Sequence, residues 1–322
     1  MSTTSMTVDE PLSHTTGGLR LIRRIRFLAA LGVAAAVFWF FGPWAAKPID
    51  PSGPITLLMV DQGVVGMAEL LGLGVIVSGL AVAISGAGCA ERGPLAVAVG
   101  LATLGFRGSQ MDTLVLYRLT SLRAGQSVTD AFPVWGLIAE TWLWLALIAV
   151  GFVVGRWVDS WFAQEGAPAA IRNMLKQPTD FRHAIGTIAL SSVVAWFVVT
   201  YTIGTDRHPL QKGQIYFAIA LAFMLGSLVS HWFFQRTSRV WLLISVAIVA
   251  TTAYVFGAPD ATALSAAAKN GSYMMLRPVI RPLPIEYAAL GAIGALFEED
   301  AMHILRALFG LPIQDDVETD NA

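Results

Sequence analysis

The residues in this chain with the means to do chemistry are three carboxylates set inside apolar runs: Glu69, Glu140 and Glu286. A charged group at membrane depth is costly, so it faces a bundle interior, finds a partner, or stays protonated. Glu140 is the deepest of the three, seven residues past Pro133 and thus about 10 Å along a helix. Glu69 falls near the start of its run and Glu286 near the start of the last one. Two readings follow from the same letters. In one, the three glutamates form a cation- or proton-binding locus in the outer half of a membrane. In the other, each snorkels or pairs with a loop arginine such as Arg107, Arg118, Arg277 or Arg281.

Beyond these, catalytic constellations are scarce. The chain has no HExxH, no GxSxG, no P-loop, no dinucleotide fingerprint and no EF-hand loop, so no cofactor and no metal site is expected. Glu299 and His303 stand at i, i+4, but one such pair suits a solvated helix face better than a metal site. His231 near a span end reads as an interfacial hydrogen-bonding residue. The single cysteine, Cys89, excludes an intrachain disulfide, a CxxC redox pair and a zinc ribbon. No block of Lys or Arg suggests nucleic acid as a partner.

The elements that must position these residues are hydrophobic. Of 322 residues, 55% are hydrophobic and only 13% charged, with a mean hydropathy of +0.63. Soluble domains usually carry about a quarter charged residues. Here the deficit is gathered into repeated uncharged runs, which predicts an all-α, polytopic membrane bundle. Six runs are long enough to span: 27–46, 63–90, 132–157, 184–204, 213–234 and 240–259. Short connections after the fourth and fifth make the last three antiparallel neighbours.

Two further runs, 93–106 and 285–297, are short. Fourteen helical residues reach only about 21 Å against a hydrocarbon core of about 30 Å. The balance of Lys and Arg over the loops leans to six crossings. Yet leaving both short runs uncrossed would bury irregular backbone at membrane depth, which needs a protein-lined cavity. The expectation is about eight transmembrane helices. Arg92-Gly93-Pro94 and Arg281-Pro282 precede the two runs, a loose correspondence of the kind that marks repeats in transporters; close packing of Gly- and Ala-rich helices accounts for the same letters. Gly151 and Gly155 make one GxxxG, expected to serve packing within the chain.

Residues 1–19 read as a disordered tail, 20–310 as one transmembrane domain with a central connection at 158–183, and 311–322 as an acidic tail. Residues 107–131 read as a surface helix and loop, with Leu114, Leu116, Tyr117 and Leu119 along the interface. Arg20, Arg23, Arg24 and Arg26 before the first run predict a retained signal-anchor helix and a cytoplasmic N-terminus, in the inner membrane of a cell. Tryptophans 39, 44, 135, 157, 161, 232 and 241 cluster at span ends as an aromatic belt does. The partners this implies are the lipid bilayer and other membrane proteins. The expected function is a non-enzymatic membrane component or scaffold; the alternative is a transporter or channel for a small cation or proton using Glu69, Glu140 and Glu286.

Overall fold

The computed structural model describes residues 13–46, 53–59, 63–123, 132–162, 181–203, 211–234, 239–260, 262–264, 266 and 276–297. Among them the only regular structure is helical: α1 (Ser13–Ala46), α2 (Gly63–Ser85), α3 (Arg92–Arg107), α4 (Met111–Arg123), α5 (Val134–Phe162), α6 (Phe181–Thr202), α7 (Lys212–Phe233), α8 (Val240–Gly257) and α9 (Pro284–Leu296). Short 3-10 turns occur at Leu57–Met59 and Pro278–Ile280. Helix α1 starts at Ser13, so helical structure reaches into the stretch read from sequence as a tail. The acidic tail, Glu299, His303 and most of the 158–183 connection lie outside the described residues.

Six helices are long and apolar enough to cross a membrane: α1 from Leu21, α2, α5, α6, α7 and α8. They coincide with the six long runs of the sequence. Their outer faces carry large apolar side chains, among them Ile76, Phe197, Phe217 and Phe256. On a water-soluble monomer so much exposed apolar surface would be anomalous. Facing hydrocarbon it has no cost. The chain is a multi-pass helical membrane protein.

The bundle has two distinguishable ends. At the basic end, the Arg92 guanidinium lies 5.0 Å from the Phe27 ring centroid, Phe297 meets Phe27 at 6.4 Å, and the Gly88 N–H donates to Asp159 at 2.7 Å. There too Arg239 pairs with Glu91, and Phe234 meets His183. At the far end, the Ser109 N–H donates to the Gly53 carbonyl (3.0 Å), and Lys212 meets Glu286. These contacts make α1, α3, α6 and α8 run from the basic end to the far end. Helices α2, α5, α7 and α9 return. Helix α4 lies at the far end, burying Met111, Leu114 and Val115 while Leu116 stays exposed.

The two short runs are thus α3 and α9, and both pass from one end of the bundle to the other. They sit side by side and antiparallel in its centre, with Gly105 of α3 against Ile285 of α9. Nearly every residue of α9 from Pro284 to Leu296 is buried. Small residues allow this enclosure. A Cβ on Gly100 would stand 2.2 Å from the Phe38 ring, one on Gly294 2.3 Å from the Ala220 carbonyl, and one on Gly291 2.5 Å from Val246. Lipid offers no hydrophobic drive between helices, so close van der Waals contact of this kind is what holds them.

The GxxxG pair serves the same purpose. Gly151 and Gly155 of α5 face the first turn of α3: added Cβ atoms would lie 2.8 Å from Pro94 and 2.3 Å from the Ala90 carbonyl. Ser78 of α2 closes the crossing by donating to the Gly151 carbonyl at 2.9 Å. The turn that leads into α3 needs two residues in the left-handed region, and glycines supply them: Gly86 (φ 90°) and Gly88 (φ 76°).

Candidate functional site

Glu140 is 2% exposed, on the inward face of α5 one turn before Trp144. Its carboxylate is filled by protein donors. Oε1 accepts from the Leu57 N–H and from Trp144 Nε1, both at 3.0 Å, and Oε2 accepts from the Thr56 hydroxyl. Thr56 Oγ1 in turn accepts from the Leu58 N–H at 3.3 Å. The result is a cap: a side chain from a distant helix satisfies the first N–H groups of the 3-10 turn at Leu57–Met59, which have no partner within the turn.

The segment held in this way is irregular backbone folded into the bundle. Gly53, Pro54, Ile55 and Thr56 are all buried. Buried N–H and C=O groups must find partners. Here they use Glu140, the Ser109 N–H to the Gly53 carbonyl, and Arg118, which donates to the Leu58 carbonyl at 3.4 Å. The arginine partner expected for Glu140 is therefore absent from its immediate contacts. Neutral donors take its place, and Arg118 enters one bond further out, on the same loop.

Glu286 is 1% exposed and lies in the first turn of α9. Its Oε2 accepts from the Leu283 N–H at 2.9 Å, capping its own helix, and its Oε1 lies 3.5 Å from Lys212 Nζ. A carboxylate in a helix's first turn also meets the positive end of its dipole. Lys212 opens α7 and serves two helices. Besides Glu286, its ammonium donates to the carbonyls of Gly105 and Gly108 (2.5 Å each) and of Ser109 (3.3 Å), at the C-terminus of α3. One turn further along α7, Tyr216 donates to the Ala102 carbonyl at 3.0 Å. The start of α7 thus ties the end of α3 to the start of α9.

Glu69 belongs to neither cluster. It is exposed on the outer surface of α2. Of the three sequence candidates, Glu140 and Glu286 are buried with different hydrogen-bond partners, both within electrostatic reach of Tyr254, and Glu69 faces outward, away from them. Sequence reasoning missed Lys212, read only as the last letter of a polar connection. The available signal was its place at the mouth of a span with Tyr216 four residues on, which puts both on one helix face.

A second buried loop lies at the far end. Tyr254 donates to the Pro282 carbonyl (2.8 Å) and Tyr287 to the Val279 carbonyl (2.6 Å), while Arg281 Nε donates to the Leu276 carbonyl (3.2 Å). Cavities among the described residues include an apolar groove between α6 and α8, beside Trp196 and Ile248, and a polar one at the basic end. Neither is lined by Glu69, Glu140 or Glu286. Among the described residues no three His, Cys, Asp or Glu side chains gather as a metal would require. Comparison with family models, curated proteins and solved structures finds no match to this chain.

Proposed function

We propose that this protein is a non-enzymatic component of a membrane, a helical scaffold whose lipid-facing helices and end loops meet neighbouring membrane proteins. The observation that carries the reading is the state of Glu140. A carboxylate serving as an ion or proton site needs free acceptor capacity and a path to water. The Glu140 oxygens instead accept from Thr56, Leu57 and Trp144, and their effect is to fix a loop. Glu286 caps its own helix through Oε2, while its Oε1 makes no hydrogen bond and stands 3.5 Å from the Lys212 ammonium, a neutralising partner already in place. The Arg20–Arg26 cluster supports an orientation with the basic end in the cytoplasm.

Purified protein in liposomes tests this against the transporter reading. Under an imposed pH or sodium gradient, proton and cation flux should equal that of empty liposomes. Flux above that background, abolished by Glu140→Gln or Glu286→Gln at equal incorporation, would replace the scaffold reading with an ion-translocating one.

A further inference from the structure

Where α1, α3, α8 and α9 come together at the basic end, they enclose a cavity of about 270 Å³. Its wall carries four guanidinium groups, Arg23, Arg24, Arg92 and Arg239, against one carboxylate, Glu91. Glu91 is already engaged by Arg239. That leaves an excess of positive charge from Arg23, Arg24 and Arg92. Arg92 Nη1 is buried with no hydrogen-bond partner, although its guanidinium plane is held over Phe27. A buried donor of this kind costs stability unless something accepts from it. The deeper wall is apolar, with Phe27, Leu95 and Leu296.

An anion with a tetrahedral, multiply accepting head fits this wall, since planar guanidiniums bind phosphate in forked pairs. The surroundings say which kind of phosphate. The cavity lies where the apolar spans end, the depth at which lipid headgroups sit. Directly beside Arg24 on α1, Leu21, Ile25 and Leu28 are exposed, a track for an acyl chain leading away from the rim. Basic pockets between transmembrane helices on the cytoplasmic side are suited to anionic headgroups for the same reasons of charge and depth. We propose that this pocket holds the phosphate of an anionic phospholipid, with Arg24 and Arg92 as its principal donors and the exposed face of α1 carrying a chain. The site is separate from Glu140 and Glu286 and does not depend on the scaffold reading.

The test uses the full chain, purified in detergent and supplied with phosphatidylglycerol or phosphatidylcholine. Native mass spectrometry should show retained phosphatidylglycerol, and thermal unfolding should shift upward with that lipid alone. Arg24→Gln with Arg92→Gln should weaken the apparent affinity about tenfold or more, the effect of losing charge-assisted bonds to phosphate. Arg24→Gln alone, at an exposed position, keeps the test valid if the double variant folds poorly; it should show part of the loss. Arg156→Gln, which removes one charge outside the cavity wall, should behave as wild type. Equal retention by wild type and Arg24→Gln, or equal loss in Arg156→Gln, overturns the assignment. So does displacement of the lipid by millimolar inorganic phosphate, which would mark a simple anion site. Retention that appears only after Glu298→Gln, Glu299→Gln and Asp300→Asn would overturn it too, by showing that the chain's own acidic run fills the pocket.

Discussion

At the residue scale, Glu140 is an acceptor surrounded by donors, and that asymmetry sets what its variants do. Glu140→Gln keeps one carbonyl oxygen for the Leu57 N–H or Trp144 and preserves the shape, so a small fall in melting temperature is expected. Glu140→Leu strands the Leu57 N–H, the Trp144 indole N–H and the Thr56 hydroxyl in an apolar setting. Leaving a buried donor unsatisfied costs roughly 1–3 kcal/mol. Glu140→Leu should therefore lose several times the stability lost by Glu140→Gln, as measured by thermal unfolding in detergent. Equal losses would mean that the carboxylate does not hold the 53–59 loop. The position of Glu140 inside an apolar run was plain from the sequence. Its partners were not, because Thr56 and Glu140 stand 84 positions apart and are brought together only by the fold.

At the element scale, α3 is packed closely by α1, α2, α5 and α9. Its first turn is crossed by α5 at glycines that leave no room for a methyl group. Gly155→Ala should push α5 away from Ala90 and destabilise the protein by about 1–3 kcal/mol, the usual range for overpacking. Gly72→Ala is the control: its Cβ would meet nothing within 4 Å, and alanine is the better helix former, so a neutral or slightly stabilising effect is expected. Thermal unfolding of the two variants side by side checks this, and matching effects would place the α3–α5 contact elsewhere. The GxxxG was legible in the sequence. That it faces Ala90–Pro94 of the same chain was not, since two glycines four apart mark a smooth face without naming what lies on it.

At the scale of the whole molecule, α3 and α9 each run between the basic end and the far end. Among the described residues, eight traverses of the bundle bring the end of α9 back to the end at which α1 begins. Single cysteines at Ser5→Cys and Asp315→Cys, each in a Cys89→Ser background, should accordingly show the same accessibility to an impermeant reagent, and both should be shielded in intact cells. Opposite accessibilities would mean that one short helix stops within the membrane. What makes so short a helix tolerable is enclosure. At the far end these helices are met by Lys212, Glu286 and buried loops, so there they need neither water nor lipid headgroups to satisfy them.

By itself the sequence determined what depends on composition and period: a helical membrane protein, six full-length spans, tryptophans at the span ends and a basic cluster before the first span. These follow because a bilayer is a uniform solvent that selects long uncharged runs wherever they occur. Only the tertiary structure decided how the short runs and the buried charges are used. The length of 93–106 and 285–297 was equally compatible with crossing and with dipping in. Their enclosure at the centre depends on glycines meeting particular neighbours, Phe38, Ala220 and Val246 among them. The three glutamates were alike as letters, and the fold sent Glu140 to a loop, Glu286 to a lysine and Glu69 to the outer surface. A partner in space is set by the packing of whole helices, and no local pattern around a glutamate encodes it.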